Sequence, residues 1–245
     1  MSDLRPAARL KRYAPGVDQP AHAHEAAHIS LVVAGGFSET DSRGVRTVSS
    51  GRTGLRPEGL RHAVRFGAAG AMVLTFEPPP RPDGRPVVSE PAWSPVLPGT
   101  HLRRLTPMLL EDGETAREAA WDLLALCRAA PARPRPDAWL RAVREQLVES
   151  PGPARLTDIA HRAGRHRVYL GRAFLAAFGE TPSVFRRRAM LDRALCLGAH
   201  GVPAALAAAE AGFADQSHFT RACRDVFGLP PGRLIARAAQ VASVQ

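Results

Sequence analysis

An internal repeat in the C-terminal half constrains the fold of this 245-residue chain more than any other feature. Residues 159–164 (IAHRAG) are echoed by residues 207–212 (AAAEAG), at an offset of 48 positions. Further matches follow at an offset of 49, namely Phe178, Gly179 and Pro182 against Phe227, Gly228 and Pro231. Because glycine ends a helix readily and proline blocks its continuation, each copy predicts a short helix, a tight turn and a second helix. Such a pair is a helix-turn-helix unit, whose second helix fits the major groove of DNA.

The outward faces of the two second helices carry side chains suited to DNA recognition. Opposite the expected buried stripes, the candidates for DNA contact are Arg165, Arg167, Arg172, Gln216, Ser217, His218, Thr220 and Arg221. Arginine and glutamine can each make two hydrogen bonds to the edge of guanine or adenine, whereas serine and threonine suit phosphates or either base. A merely solvated helix face would explain one such helix, but the repetition of the whole unit favours DNA binding.

The segment between the two copies, about residues 183–199, is predicted to be a helix that carries Arg186, Arg187 and Arg188. A rigid helix there would hold the second helices of the two units, here called the reading helices, one DNA turn apart, which is roughly 34 Å. Both could then enter successive major grooves. The net charge of +10 identifies no partner by itself, because asparagine is absent and Lys11 is the sole lysine, as expected for a GC-rich genome. The location of the arginines is more informative, and we expect these three to face DNA.

Residues 137–237 resemble the DNA-binding domain of the AraC/XylS family of bacterial transcription regulators, most closely over residues 212–231. The resemblance implies a monomeric domain with two helix-turn-helix units joined by one long helix. It also implies that the contacts come from Arg167, Val168, Gly171, Arg172, Gln216, Ser217, His218, Thr220 and Arg221. Since Gly171 has no side chain with which to read a base, the first helix is expected to rely on Arg167 and Arg172.

The first 98 residues have a different pattern, in which short apolar runs alternate with clusters of Gly, Pro, Ser and Asp. The runs at residues 29–34, 45–48, 64–66 and 72–76 predict short strands in an antiparallel sandwich or barrel. The proline-dense segment 78–98 is expected to be irregular and to lie on the surface, because proline cannot donate to a sheet ladder. From residue 101 onward the apolar spacing is helical.

Histidines in this half follow a spacing that suggests a metal site. His22, His24 and His28 share parity, so on an extended strand they would project to one face, and His62 from a neighbouring strand could complete the set. Three or four imidazoles suit a divalent transition metal, with zinc favoured and copper, nickel or iron as further candidates. Histidines that are structural, or that contact an effector, are the open alternative.

The spacing of these histidines and of the neighbouring glycines resembles the two motifs of the cupin fold, a small antiparallel jelly-roll barrel, over about residues 16–76. The resemblance implies metal ligands at His22, His24 and His62, and at His28, which stands where cupins usually have glutamate. Phe66 stands where the second motif usually ends in asparagine. AraC-type regulators commonly carry a cupin-like domain first, so both resemblances imply an N-terminal antiparallel β-barrel followed by an all-α domain with two helix-turn-helix units.

We accordingly predict three parts of the chain. Residues 1–98 form a cupin-like sensor domain, residues 99–130 a helical linker and dimerisation segment, and residues 137–240 the DNA-binding domain. Residues 130–136 are expected to be a stiff, exposed connector because they are rich in proline. The family resemblance implies a homodimer, and the helices between residues 101 and 127 offer an apolar face for the partner.

The predicted function is a sequence-specific transcription regulator, an activator in preference to a repressor, that responds to a small-molecule or metal effector. Its main partner is double-stranded promoter DNA, with RNA polymerase as a further partner if it activates. A cupin metalloenzyme with a helical appendage, such as a dioxygenase or isomerase, is the alternative, and a non-specific nucleoid or RNA-binding protein is a third. No enzyme is expected, because four histidine ligands would leave less room for a substrate than three, and because Glu25, the only local carboxylate, should project to the opposite face.

Other features of the sequence exclude several protein classes. Cys127, Cys196 and Cys223 are widely spaced, which predicts neither a disulfide framework nor a thiolate zinc site. The first 20 residues lack the apolar core of a signal peptide, and no apolar run approaches the length of a membrane span. We therefore expect a soluble, cytoplasmic protein without a membrane partner.

Overall fold

The N-terminal half folds into one antiparallel sheet, because its apolar runs are separated by turn-forming residues. The computed structural model describes residues 8–78, 81, 83–129, 136–149 and 156–239, and within them the sheet has seven strands. The strands are β1 (Arg9–Tyr13), β2 (Asp18–His22), β3 (His28–Asp41), β4 (Gly44–Ser49), β5 (Thr53–Arg56), β6 (His62–Phe76) and β7 (Ala92–Trp93). The predicted fold class, an antiparallel β-domain followed by helices, is confirmed.

Bulges bend the two longest strands, β3 and β6, which pair along most of their length. The register shifts between residues 32 and 34 and again between residues 35 and 37. At the second shift Gly35 has a φ of 73°, and a Cβ there would lie 2.1 Å from the carbonyl oxygen of Gly70, so only glycine permits this approach. As a result, β3 pairs with β5 near its start and with β4 near its end, while β6 pairs first with β2 and then with β1.

The structure differs from the sequence expectation for the strands in two respects. The apolar runs at residues 64–66 and 72–76 belong to the single strand β6, because the bulged sheet carries the chain through the intervening glycines. The proline-dense segment is largely irregular, but it also contributes β7 and buries Val87, Val88 and Leu97, so it does not lie wholly on the surface. Residues 79, 80 and 82 of that segment lie outside the described residues.

Nine helices follow in the described part of the chain. They are α1 (Gly99–Leu109), α2 (Glu114–Ala129), α3 (Ala138–Glu149), α4 (Leu156–Arg162), α5 (Arg167–Phe178), α6 (Pro182–Ala199), α7 (Ala204–Glu210), α8 (Gln216–Phe227) and α9 (Pro231–Ala239). Of the predicted connector, residues 130–135 lie outside the described residues, and only Pro136 is described. No helix among the residues described is both long and apolar enough to cross a bilayer.

Two hydrophobic cores organise the helices. The larger core joins one face of the sheet to α1, α2, α6, α8 and α9, and it buries Leu31, Leu74, Leu105, Leu123, Leu195 and Phe219. The smaller core lies between α3, α4, α5 and the start of α6, around Phe174 and Phe185. The second helix-turn-helix unit is therefore packed with the N-terminal sheet, whereas the first has a core of its own. The predicted domain boundaries stay a prediction.

The helical segment predicted to dimerise forms α1 and α2. Its apolar side chains, including Leu102, Leu105, Leu123 and Leu124, are buried within the chain's own larger core. In particular α1 packs against α8 and α2. These leucines are thus covered in this structure, and the homodimer stays a prediction.

Candidate DNA-binding and metal-binding sites

The turns of the two helix-turn-helix units have the same hydrogen-bond pattern. After α4, Gly164 adopts a φ of 62°, and the N–H of Arg165 donates to the carbonyl oxygen of Ala160 at 2.9 Å. After α7, Gly212 adopts a φ of 93°, and the N–H of Phe213 donates to the carbonyl oxygen of Ala208, also at 2.9 Å. Both turns are the glycine-dependent helix end that the repeat predicted.

The one-residue change in repeat offset lies between each turn and its second helix. α5 begins at Arg167 and is capped by His166, whose ring accepts a hydrogen bond from the N–H of Val168. α8 begins one residue later relative to its turn, at Gln216, and is capped by Asp215, which accepts from the N–H of His218 at 2.7 Å. An aspartate is the stronger cap of the two, because its carboxylate interacts favourably with the positive end of the helix dipole.

Most predicted DNA-contact residues are exposed. The buried side of α5 contains Leu170 and Phe174, and that of α8 contains Phe219, Cys223 and Phe227. On the opposite sides, the exposed candidates are Arg165, Arg167, Arg172, Gln216, Ser217 and Arg221, and the half-buried ones are His218 and Thr220. The structure therefore leaves these side chains accessible to a ligand, and their contacts with DNA stay a prediction.

Arg165 and His218 also have contacts inside the protein. The guanidinium of Arg165 lies 5.4 Å from the ring centre of Trp139 and 5.9 Å from that of Tyr169, which are stacked on each other. His218 meets Phe213 edge to face, with the ring centres 5.1 Å apart. Arg165 thus has aromatic neighbours just before α5, and His218 has one in the first turn of α8.

The sequence interpretation expected all three consecutive arginines of α6 to face DNA, but one of them is buried. Arg187 is exposed and Arg186 is half-buried, but Arg188 is only 8% exposed. Successive helix residues point about 100° apart, so one member of the triplet faces the N-terminal sheet. There, Nη1 of Arg188 donates to the carbonyl oxygen of Ser50 at 2.8 Å and to its hydroxyl at 2.6 Å, while Nη2 is paired with Glu180. Arg188 therefore joins α6 to the sheet and does not face DNA.

Asp192, one turn further along α6, belongs to the same contact. Its Oδ2 accepts a hydrogen bond from the hydroxyl of Ser50, whereas its Oδ1 is buried and has no partner among the described residues. Burial raises the pKa of the Asp192 carboxyl to about 7, against the opposing effect of the Arg188 charge. The contact between the sheet and the linking helix thus contains a carboxyl group that titrates near neutral pH.

Three of the four predicted metal-binding histidines lie together. His22 ends β2 and His62 begins β6, directly opposite in register, and His24 lies in the loop that follows β2. Their ring nitrogens lie within 4.8 Å of one another. His28 begins β3, so the first three predicted ligands do not share a strand; its ring centre is 4.2 Å from that of His24, but it lies outside the group of three.

Hydrogen bonds leave His22 and His62 with lone pairs that face each other. Nδ1 of His22 lies 2.9 Å from the carbonyl oxygen of Pro20, and Nδ1 of His62 lies 3.1 Å from Oε1 of Glu39. In the tautomer in which both Nδ1 atoms donate to these acceptors, each Nε2 has a free lone pair. The two Nε2 atoms are 3.2 Å apart. Two lone pairs at this distance repel unless a proton or cation lies between them, and tetrahedral zinc separates its nitrogen ligands by about 3.3 Å. The donor set fits such a metal.

Glu39 is a buried carboxylate that the sequence interpretation missed, so the expectation that Glu25 is the only local carboxylate is wrong. It is 2% exposed and accepts hydrogen bonds from Nε of Arg56 at 2.8 Å and from the indole of Trp93. Burial would raise the pKa of Glu39, but the hydrogen bond with His62 and the Arg56 charge lower it to about 2. Nε of Arg56 also lies 3.2 Å from Nδ1 of His62, but its shorter contact is with the carboxylate. Glu39 therefore stays ionised and orients the His62 ring.

The local environment keeps His24 and His28 uncharged. Burial, with the charges of neighbouring histidines and Arg56, lowers the pKa of His24 to about 4. Burial and then the charge of Arg56 lower the pKa of His28 to about 3. Neutral imidazole is the form that binds a metal ion. The three cysteines are free and lie elsewhere, so thiolates do not belong to this site.

Comparison with known proteins gave one family match. Residues 159–237, from α4 into α9, match the family described as a helix-turn-helix domain. Comparison with curated proteins gave no match.

Solved structures gave weaker likenesses. ToxT from Vibrio cholerae is 11% identical, covers 94% of this chain and 97% of its own, and has a TM-score of 0.41. The C-terminal domain of AraT, a response regulator from Geobacillus stearothermophilus, is 17% identical over 46% of this chain and 94% of its own, with a TM-score of 0.42. A variant of oxalate decarboxylase from B. subtilis is 26% identical over 27% of this chain and 19% of its own, with a TM-score of 0.24. We draw no functional conclusion from likenesses at these TM-scores.

Proposed function

We propose that this chain, whose residues 159–237 form a helix-turn-helix domain of the AraC type, is a DNA-binding transcription regulator controlled by its N-terminal sheet. The observation that carries the proposal is the repeated unit itself: α5 and α8 follow turns of the same geometry and present exposed polar faces. The family match and this geometry favour a regulator over a metalloenzyme.

DNA recognition would combine two kinds of contact. Arginines on and around the reading helices would bind phosphates and set a salt-dependent affinity. A few side chains, Arg167 and Arg172 on α5 and Gln216 and Arg221 on α8, would read base edges and set the sequence. Because α6 joins the two units, both helices would enter successive major grooves on one face of the duplex.

The effector site would be the histidine cluster. His22, His24 and His62 would hold a divalent transition metal, zinc being the best fit for neutral imidazoles, with copper, nickel or iron as further candidates. A metal bound there would supply a fixed positive charge and a coordination position for a small molecule. Glu39 would hold the His62 ring in the ligating orientation through Nδ1.

A short path connects this cluster to the linking helix. Arg56 ends β5 and contacts Glu39 and His62. Ser50 lies just before the start of β5 and contacts Arg188 and Asp192 of α6. Occupancy of the cluster would thus reach α6 through a strand of four residues. We further propose that the protein activates transcription with RNA polymerase as a partner and acts as a homodimer, both of which rest on the resemblance to AraC/XylS regulators.

Mapping of bound sites across a genome tests the proposal. A regulator would give discrete sites with a shared sequence motif. Uniform binding to any duplex, governed by salt concentration alone, would contradict it.

A further inference from the structure

Two buried polar atoms beside the histidine cluster have no partner among the described residues. They are Nη1 of Arg56 and Nδ1 of His28, in side chains that are 4% and 8% exposed. The two residues are directly paired across β3 and β5, so their side chains lie next to each other. Buried polar atoms in folded proteins nearly always have a partner. Two adjacent exceptions indicate that the partner comes from outside the chain.

The rest of the Arg56 guanidinium is already fixed. Nε and Nη2 pair with Oε1 of Glu39 at 2.8 and 2.7 Å, and the group lies 4.7 Å from the ring centre of Trp93. A guanidinium is planar, so these contacts also fix the direction of Nη1, on the edge that does not face Glu39. The free edge is therefore a preorganised donor.

The net charge at this position is positive. Arg56 offsets the charge of Glu39, whereas Lys11 on β1 forms no ion pair with any described residue. Lys11 is paired with Val73 of β6 and so lies on the sheet face that Trp93, the neighbour of Arg56, also packs against. A divalent metal on the histidines would add further positive charge. A buried donor without an acceptor, on the same side of the sheet as a lysine without a counter-ion, suits an anion.

We propose that this position binds the carboxylate of a small organic molecule, held by Nη1 of Arg56 and the amine of Lys11 next to the three histidines. The inference rests on the proposed sensor function and names the chemical class of its effector. Nδ1 of His28, which has no partner among the described residues, would bond a hydroxyl on the same molecule, since a hydroxyl can both donate and accept. His24, in the loop after β2, is the exposed member of the cluster.

Calorimetric titration of the full chain, with and without zinc, tests the inference with three probes that differ by one group at a time. Lactate carries a carboxylate and a hydroxyl, propionate only the carboxylate, and propionamide has the shape of propionate without the charge. We expect lactate and propionate to bind, and propionamide to bind about tenfold more weakly or not at all, as for loss of a charge-assisted hydrogen bond.

Substitutions locate the site. Lys11→Met keeps the apolar stem and removes the charge, and we expect it to weaken propionate binding about fivefold or more. Arg56→Lys keeps a charge opposite Glu39 but removes Nη1, with a similar or larger loss. Arg65→Gln, which alters an exposed arginine of the same sheet, is the matched control and should bind like the unmodified chain. Should Arg56→Lys fail to fold, Lys11→Met decides the result.

The outcomes separate this inference from the proposed metal site. Equal binding of propionate and propionamide, or unchanged propionate binding in Lys11→Met, overturns the carboxylate assignment. Zinc binding without any carboxylate binding also overturns it and leaves the metal site standing. Carboxylate binding without zinc binding supports the assignment and contradicts the metal site.

Discussion

Arg188 of α6 donates a hydrogen bond to the backbone carbonyl oxygen of Ser50, 2.8 Å away, and thereby joins the helix between the two helix-turn-helix units to the N-terminal sheet. The same guanidinium pairs with Glu180, which lies just before α6, so it has one acceptor in the helical part and one next to the sheet. Because α6 lies between α5 and α8, this contact links the sheet to the helix that joins the two units.

Replacing Arg188 by methionine tests this contact. The substitution keeps much of the side-chain length but leaves Glu180 without its partner, and we expect the free energy of unfolding to fall by about 3 kcal/mol, as for other broken buried pairs. Urea unfolding measures the change. Arg187→Met is the control, because Arg187 is exposed on the same helix. Similar losses for both variants would contradict the buried contact.

Asp192 gives the contact a dependence on pH. Because its pKa is about 7 in the folded chain and about 3.9 when unfolded, the folded state holds a proton that the unfolded state releases between these values. The unfolding free energy should therefore fall as pH rises from about 4 to 7, with a slope of at most about 1.4 kcal/mol per pH unit from this group. Above pH 7 both states are ionised and the contribution stops changing.

Comparison of the unmodified chain with Asp192→Asn isolates that slope, since asparagine does not titrate. The difference between their unfolding free energies should shift in favour of the variant as pH rises through 5, 6 and 7. Asp225→Asn, an exposed change on α8, should show no such trend. A constant difference for Asp192→Asn across this range would show that its carboxyl is not perturbed.

Zinc binding should depend on the hydrogen bond to His62 as well as on the ligands. His22→Ala and His62→Ala are each expected to abolish stoichiometric zinc, measured by elemental analysis after dialysis. Glu39→Gln keeps the shape of the side chain but removes the charge that orients His62, and we expect a 10- to 100-fold loss of zinc affinity, about the usual range for such partners. His161→Ala, on the exposed side of α4, should bind zinc normally. Retention of zinc in His62→Ala would exclude the proposed site.

The two reading helices should control different parts of the DNA site. We expect Arg172→Ala to relax the preferred sequence under α5, and Gln216→Ala to relax that under α8, each at a cost of about 1–3 kcal/mol in binding free energy. Selection of preferred sequences from a random DNA pool measures both. Arg233→Ala, on the exposed surface of α9, should leave the selected sequence unchanged. Identical selected motifs for all three variants would contradict base reading by α5 and α8.

The helix-turn-helix units could be predicted because their signals are local. Gly164 and Gly212 end helices through their own backbone conformation, and each signal lies within a few residues of the structure it specifies. The same holds for the apolar runs of β3 and β4. The repeat offset changes from 48 to 49 after Gly164 and Gly212, and this change correctly places one extra residue between the second turn and α8.

The polar network around the histidines could not be predicted, because it depends on distant pairing. Glu39, Arg56 and Trp93 show no shared spacing with His62, and the bulges in β3 and β6 decide which residues meet. Likewise, the direction of Arg188 follows from how α6 packs on the sheet, which an arginine triplet does not reveal. Both findings concern buried charges, whose partners come from remote parts of the chain.

Hydroxyl-radical footprinting of the full chain on one selected DNA site tests the central claim most directly. We predict two protected segments on one face of the duplex, about 10 base pairs apart, as two helices in successive major grooves require. The protection under α5 should weaken in Arg172→Ala and that under α8 in Gln216→Ala. A single protected segment would contradict two reading helices in one chain. So would protection that changes with salt concentration but is the same on every DNA sequence.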